Sequence, residues 1–341
     1  MPYFCNMHGI RKSDVAQTPE EEAAMVALVA KYKEVSAQVM ALKKARQFDV
    51  ASLQLSAYVV ALNPEFWIVW AYRRATIEHL IAADASAKQA LGEAECALTQ
   101  EALMKNPKSY SAWFQREWLV KQGMADLPTE LRLCDLLLNK DERNFHCWNY
   151  RRVVTRVAKT PLDDVLAFTM TKIEQNFSNY SAFQQRTLVL PSPLPLEVAM
   201  MEIELVKQAV FTEPDDQSNW FYYRWVVESL IKSPPSNDHT NDPAIDNEFD
   251  DDHGMHMTLH ELLQEQVSWI EELVELEPES KMALVTLAFV LEKEAVVERA
   301  DDAESADESI ARCVEVYHTL QAIDPDHAQY YKDRLGLLVA A

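Results

Sequence analysis

The sequence predicts an all-α protein: a right-handed superhelix (α-solenoid) of about seven helical-hairpin repeats forming a crescent. Two observations carry this expectation. Glycine occurs only 5 times in 341 residues, against a usual share of about 7%. Glycine serves tight turns and close approach of backbone to ligand. Dinucleotide folds with G-x-G-x-x-G, P-loops and hairpin-rich β domains are thereby nearly excluded. The second observation is an internal repeat. A polar residue, usually followed by Pro, precedes an aromatic by six or seven positions, and an Arg follows three or four further on. The copies centre on Trp70, Trp113, Trp148, Phe183 and Trp220, with steps of 43, 35, 35 and 37 residues. That period is one helix pair per repeat, and stacked pairs make a curved surface.

The elements follow in order. Thr18 to Arg46 reads as one long helix, with Thr18 as N-cap, Pro19 at the first helical position and acids after it. Repeats are expected near 50–90, 91–125, 129–160, 161–195, 196–232, 259–295 and 308–341, all in a single domain. In most of them, an amphipathic stretch such as Ala87 to Met104 ends at a Pro-bearing loop. The following aromatic and Arg then share one face of the next helix. The sixth copy, Glu277-Pro278…Leu284, lacks the Arg, and the seventh is Asp324-Pro325…Tyr331…Arg334. Two acidic segments, near 233–253 and 299–309, are expected as surface loop insertions, the first holding three prolines and seven acids.

Composition bounds the function. Hydrophobic residues make up 48% and charged residues 25%, the globular range. No apolar run reaches the roughly 18 residues that span a bilayer, so no transmembrane segment is expected. The N-terminus has no apolar signal region. The five cysteines form no C-x-x-C pair. They read as free thiols of a reducing compartment, and a cytoplasmic location is expected. Net charge is −22, concentrated between Lys232 and Ser309, where 22 acidic side chains face 4 basic ones. Nucleic acid is not an expected partner.

No catalytic centre stands out. Nucleophile elbows, His-Glu-x-x-His and P-loop lysines are missing. His253, His256 and His260 could line one helix face and bind a metal, but they adjoin the acidic segment, and no metal site is assigned. The repeated Trp and Arg residues read as architecture, with a basic lining for acidic partner groups as the alternative. The loops after each helix-stopping residue line one edge of such a solenoid, where partners bind. They hold Lys108-Ser109-Tyr110, Arg143-Asn144-Phe145-His146 and Ser178-Asn179-Tyr180. The window Lys140 to Lys159 carries six basic and two acidic side chains.

These loops resemble the α subunits of protein prenyltransferases. The likeness rests on Asn106-Pro-Lys-Ser-Tyr-Ser-Ala-Trp113, on Asp141-Glu-Arg-Asn-Phe-His-Cys-Trp-Asn-Tyr-Arg-Arg152, on Asn176-Phe-Ser-Asn-Tyr-Ser181 and on Glu213-Pro-Asp-Asp-Gln-Ser218. Within the family it looks most like the Rab (type II) geranylgeranyltransferase branch. The Met7-His8-Gly9 start is similar too, which makes Met7 a candidate second start. Some members carry immunoglobulin-like and leucine-rich-repeat domains; none is expected here.

The resemblance implies a non-zinc α subunit, active only with a β subunit that holds the catalytic zinc. No cofactor is then expected in this chain. The complex would transfer geranylgeranyl from geranylgeranyl diphosphate to C-terminal cysteines of Rab GTPases, presented by Rab escort protein. By family position Lys108 reaches the diphosphate, and Tyr110 and His146 lie beside the lipid diphosphate and peptide. Asn144, Arg143 and Tyr180 support the loops and the interface. Two alternatives stand beside this: the shared α subunit of farnesyltransferase and geranylgeranyltransferase type I, and a non-catalytic helical-repeat scaffold.

Overall fold

The computed structural model describes residues 18–232, 258–299 and 303–340. Among the described residues there are fifteen α-helices and no strand. A long helix α1 (Pro19–Lys44) comes first, and seven hairpins follow. These are α2 (Val50–Leu62) with α3 (Trp67–Ala83), α4 (Lys88–Lys105) with α5 (Tyr110–Lys121), and α6 (Leu127–Leu138) with α7 (Phe145–Ala158). Next come α8 (Leu162–Gln175) with α9 (Tyr180–Val189), and α10 (Leu196–Thr212) with α11 (Gln217–Ile231). The last are α12 (Leu259–Leu276) with α13 (Lys281–Glu298), and α14 (Ala303–Ile323) with α15 (Ala328–Ala340). The all-α, helical-hairpin repeat class is the one that the glycine scarcity and the aromatic period predict.

The chain divides into two compact units, with the boundary between Ala167 and Phe168. In the first, α3, α5 and α7 pack in succession as one layer, and α2 packs on α4 in the other. In the second, α9, α11 and α13 form the corresponding succession. The start of α1 is the expected one. The Thr18 hydroxyl accepts from the Glu21 amide at 3.2 Å, and the Glu21 carboxylate accepts from the Thr18 amide at 2.9 Å. Two orphan helix donors are thus satisfied reciprocally.

The spacing of six between Pro and Trp has a direct cause. Each indole N–H donates back to the carbonyl six residues earlier: Trp70 to Pro64 at 2.8 Å, Trp113 to Pro107 at 2.8 Å, Trp148 to Glu142 at 2.7 Å, and Trp220 to Pro214 at 2.7 Å. A tryptophan can be buried when its N–H has such a partner, and all four are. Three of these carbonyls also receive the cap of the next repeat. Ser109 donates to Pro64 at 3.3 Å, Asn144 to Pro107 at 3.2 Å, and Ser280 to Pro214 at 3.2 Å. One carbonyl therefore closes its own loop and holds the following one.

Three of the repeated arginines are architecture, not a basic lining. Arg73, Arg116 and Arg186 are buried and face buried Glu95, Glu130 and Glu202 in two-pronged pairs. Arg116 Nε and Nη2 donate to Glu130 at 2.6 and 2.9 Å. The spare carboxylate capacity is taken by a phenol: Tyr150 donates to Glu130 and Tyr222 to Glu202, each at 2.6 Å. Buried charges persist only where they are paired and bonded in this way.

The acidic segment near 299–309 departs from the loop expected of it. It is not a loop throughout, because α14 begins at Ala303. Its apolar positions Ala306 and Cys313 are buried, and the Ser309 hydroxyl bonds Glu294 at 3.1 Å. The acids at 307 and 308 occupy the exposed face of that helix. The expected insertion at 233–253 lies outside the described residues.

Candidate functional site

The loops singled out from the sequence all end at a helix start of the same design. Ser109 caps α5, Asn144 caps α7, Asn179 caps α9 and Asp216 caps α11. Each side-chain oxygen accepts from a backbone amide of the first turn, which satisfies a donor that the helix leaves open. The residue after the first three caps is an exposed aromatic: Tyr110 (66% exposed), Phe145 (50%) and Tyr180 (50%). Trp67, at the start of α3, continues the series.

In the first unit the two richest loops are joined. The Asn144 carboxamide oxygen accepts from the His146 and Cys147 amides at 3.1 and 3.2 Å. That leaves its NH₂ to bond Pro107, one residue before Lys108. The Tyr110 ring meets His146 edge-on, with centroids 4.2 Å apart, and Phe145 lies 3.9 Å from the same imidazole. Lys108 reaches Asp141 at 3.8 Å, both half-buried. Arg143 is exposed, and its amide donates to Asp141 at 3.2 Å.

The structure thus brings Lys108, Tyr110, Asn144 and His146 together at the adjacent N-terminal ends of α5 and α7. Arg143 lies on the same loop as Asn144. Tyr180 occupies the matching position on α9 in the second unit. Sequence reasoning missed Phe145, Asp141 and Trp67. The repeat register could have flagged Phe145 and Trp67, because both stand where Tyr110 stands.

Electrostatics give each group a character. His146 is held below the usual histidine range, first by burial, with Lys108 pushing the same way and Glu65 opposing. Its imidazole is therefore neutral near pH 7 and able to donate one hydrogen bond. Lys108 supplies a compact ammonium. Two helix N-termini add fixed positive potential. The assembly suits an anion with several oxygens set beside an apolar, aromatic surface. No helix is long and apolar enough to cross a membrane, among the described residues.

Of the three histidines considered as metal ligands, His253 and His256 lie outside the described residues. His260 sits on α12 with its Nε2 2.9 Å from Glu298.

Comparison with known proteins converges on one family. The profile described as "Protein prenyltransferase alpha subunit repeat" matches residues 93–123, 127–156, 162–192 and 200–230. A Dictyostelium discoideum protein, "Geranylgeranyl transferase type-2 subunit alpha", is 33% identical over 340 residues, covering 96% of this chain and 98% of that protein. The Homo sapiens protein of the same name is 37% identical over 241 residues, covering 65% of this chain. That match spans only 42% of the human protein's length. Among solved structures, "Candida albicans protein geranylgeranyltransferase-I complexed with GGPP" shares the fold, with a TM-score of 0.69 at 19% identity and 91% coverage of each chain.

Proposed function

The chain belongs to the protein prenyltransferase α-subunit family, and from that premise we propose that it is the α subunit of a Rab geranylgeranyltransferase. The observation that carries the reading is the end-to-end similarity to the Dictyostelium protein of type-2 name. The joined starts of α5 and α7 supply chemistry that this function needs. The proposed partners are a catalytic β subunit, Rab escort protein and the Rab GTPase that it presents, in the cytoplasm. Geranylgeranyl passes from its diphosphate to C-terminal cysteines of the GTPase.

In this account the zinc that activates the acceptor thiolate belongs to the β subunit. This chain serves the leaving group. As the bond from isoprenoid to diphosphate breaks, negative charge grows on the departing oxygens. The Lys108 ammonium, the neutral His146 N–H and the Tyr110 hydroxyl are donors set on rigid helix starts to receive it. Preorganised donors of this kind act on the transition state without reorganising. Asn144 keeps the two loops in register, so the donors act as one set.

The test is co-purification of the chain from its own cells, followed by transfer assays on the complex. A zinc-binding partner, and transfer to a Rab–escort complex rather than to short C-terminal peptides, supports the proposal. Transfer to the peptides alone reassigns the chain to the farnesyltransferase and type I branch. A chain that purifies alone without activity is a scaffold.

A further inference from the structure

We propose that His260, Glu294 and Glu298 form a binding site for one first-row divalent cation at the α12–α13 end of the second unit. The three side chains each offer a ligand atom, and these atoms all lie within 4.8 Å of one another. His260 comes from the first turn of α12, while Glu294 and Glu298 come from the end of α13, four residues apart on one face. Two helices fixed in a hairpin thus supply one imidazole and two carboxylates. A tetrahedral ion with bonds of about 2.0–2.1 Å spaces its donors by roughly 3.3 Å. His260 Nε2 and Glu298 Oε1 are 2.9 Å apart, so an ion would open that pair by a few tenths of an ångström and draw in Glu294, whose oxygen lies within 4.8 Å of both.

The charge arrangement points to a cation. Glu294 is 2% exposed and Glu298 5%, and two neighbouring buried carboxylates are costly without positive charge between them. Elsewhere in this chain an arginine fork meets each buried repeat glutamate, as at Glu95, Glu130 and Glu202. Here one of the groups facing them is an imidazole, that of His260. Arg312, which acts on Glu294 from a distance, is itself paired with Glu271. Both carboxylates also occupy the last two turns of α13, where the helix dipole disfavours negative charge.

The ligand set selects the ion class. One imidazole with two carboxylates suits zinc, manganese or iron(II) better than calcium, which takes six to eight oxygens. His260 is partly exposed, which leaves an entry path and a position for water. The Ser309 hydroxyl donates to Glu294 at 3.1 Å, the kind of second hydrogen bond that holds a metal-ligating carboxylate in place. A proton held between His260 and Glu298 is the competing occupant.

The experiment strips the purified full chain with chelator and titrates it with zinc, and separately with manganese, by calorimetry. His260→Ala and Glu294→Gln are measured alongside, with circular dichroism to check that the helices persist. The proposal expects one ion per chain for wild type, at least a tenfold weaker affinity in each variant, and a melting temperature raised by metal in wild type only. Glu294→Gln is nearly isosteric, so its loss of binding does not depend on tolerance of a larger change. No binding by wild type, or equal binding by wild type and both folded variants, overturns the site and leaves the shared proton as its occupant.

Discussion

Asn144 donates its side-chain NH₂ to the Pro107 carbonyl at 3.2 Å, so the loop that carries Lys108 and the loop that carries His146 are tied through one amide. The same side chain caps α7 with its oxygen. Asn144→Ala is therefore expected to cost about 1–2 kcal/mol as a lost cap, with a further loss from the orphaned Pro107 contact. Transfer should fall along with stability, because the donors lose register. Denaturant melts and turnover measured on the same preparation check this.

The buried pairs rank the repeats by sensitivity. Glu130→Ala strands Arg116, which is 2% exposed, and removes the acceptor of the Tyr150 phenol. Breaking one partner of such a pair costs about 3–5 kcal/mol. Lys121→Ala removes only an exposed pair with Glu117, for which at most about 0.5 kcal/mol is expected. Urea midpoints of the two variants should separate clearly.

How much of this was legible in the sequence differs by contact type. The Pro-to-Trp spacing repeats because its hydrogen bond is local, at a fixed offset of six. The Thr18 cap was legible for the same reason. The partners of the arginines were not. Glu95 follows Arg73 by 22 residues, Glu130 follows Arg116 by 14 and Glu202 follows Arg186 by 16. These contacts cross between helices whose loops differ in length, so no constant interval marks them. His260 and Glu298 meet across 38 residues and were equally hidden. The helical start of α14 was masked by its acidic exposed face. Of the candidate site, Lys108, Tyr110 and His146 were named, whereas Phe145, whose ring lies 3.9 Å from the His146 imidazole, is marked in the sequence only by its place in the repeat register, matching Tyr110.

His146 yields a pH prediction. Its folded-state value lies below the ordinary one of about 6.5, so the folded protein binds this proton less readily than the unfolded chain does. The associated stability is present above the ordinary value and is lost as pH falls through the lowered one. Histidine ring resonances should titrate below those of a free imidazole. The Tyr110–His146 contact should loosen only on acidification, leaving the site unchanged between pH 7 and 8. A His146 midpoint at or above the ordinary value contradicts this.

The thiols should be inert in the folded state. Burial pushes Cys96 up to about 11 and Cys313 up to about 12, and it raises Cys147 well above the ordinary range. Thiolate is the reactive form, so labelling of these three at pH 7.5 should be slow until denaturant is added. Fast labelling of any of them under native conditions would show local opening of its helix pair.

The most direct test of the account is single-turnover transfer from geranylgeranyl diphosphate to a Rab–escort complex, catalysed by the assembled enzyme carrying Lys108→Ala. The expected result is an intact heterodimer and a rate lowered on the order of 10²-fold, the usual effect of removing one such donor. Affinity for the lipid should fall less than the rate, because charge on the leaving group grows toward the transition state. His146→Ala, which removes a neutral donor, should be milder. A Lys108→Ala enzyme with near-normal single-turnover rate would contradict the assignment of the α5–α7 helix starts as the diphosphate site.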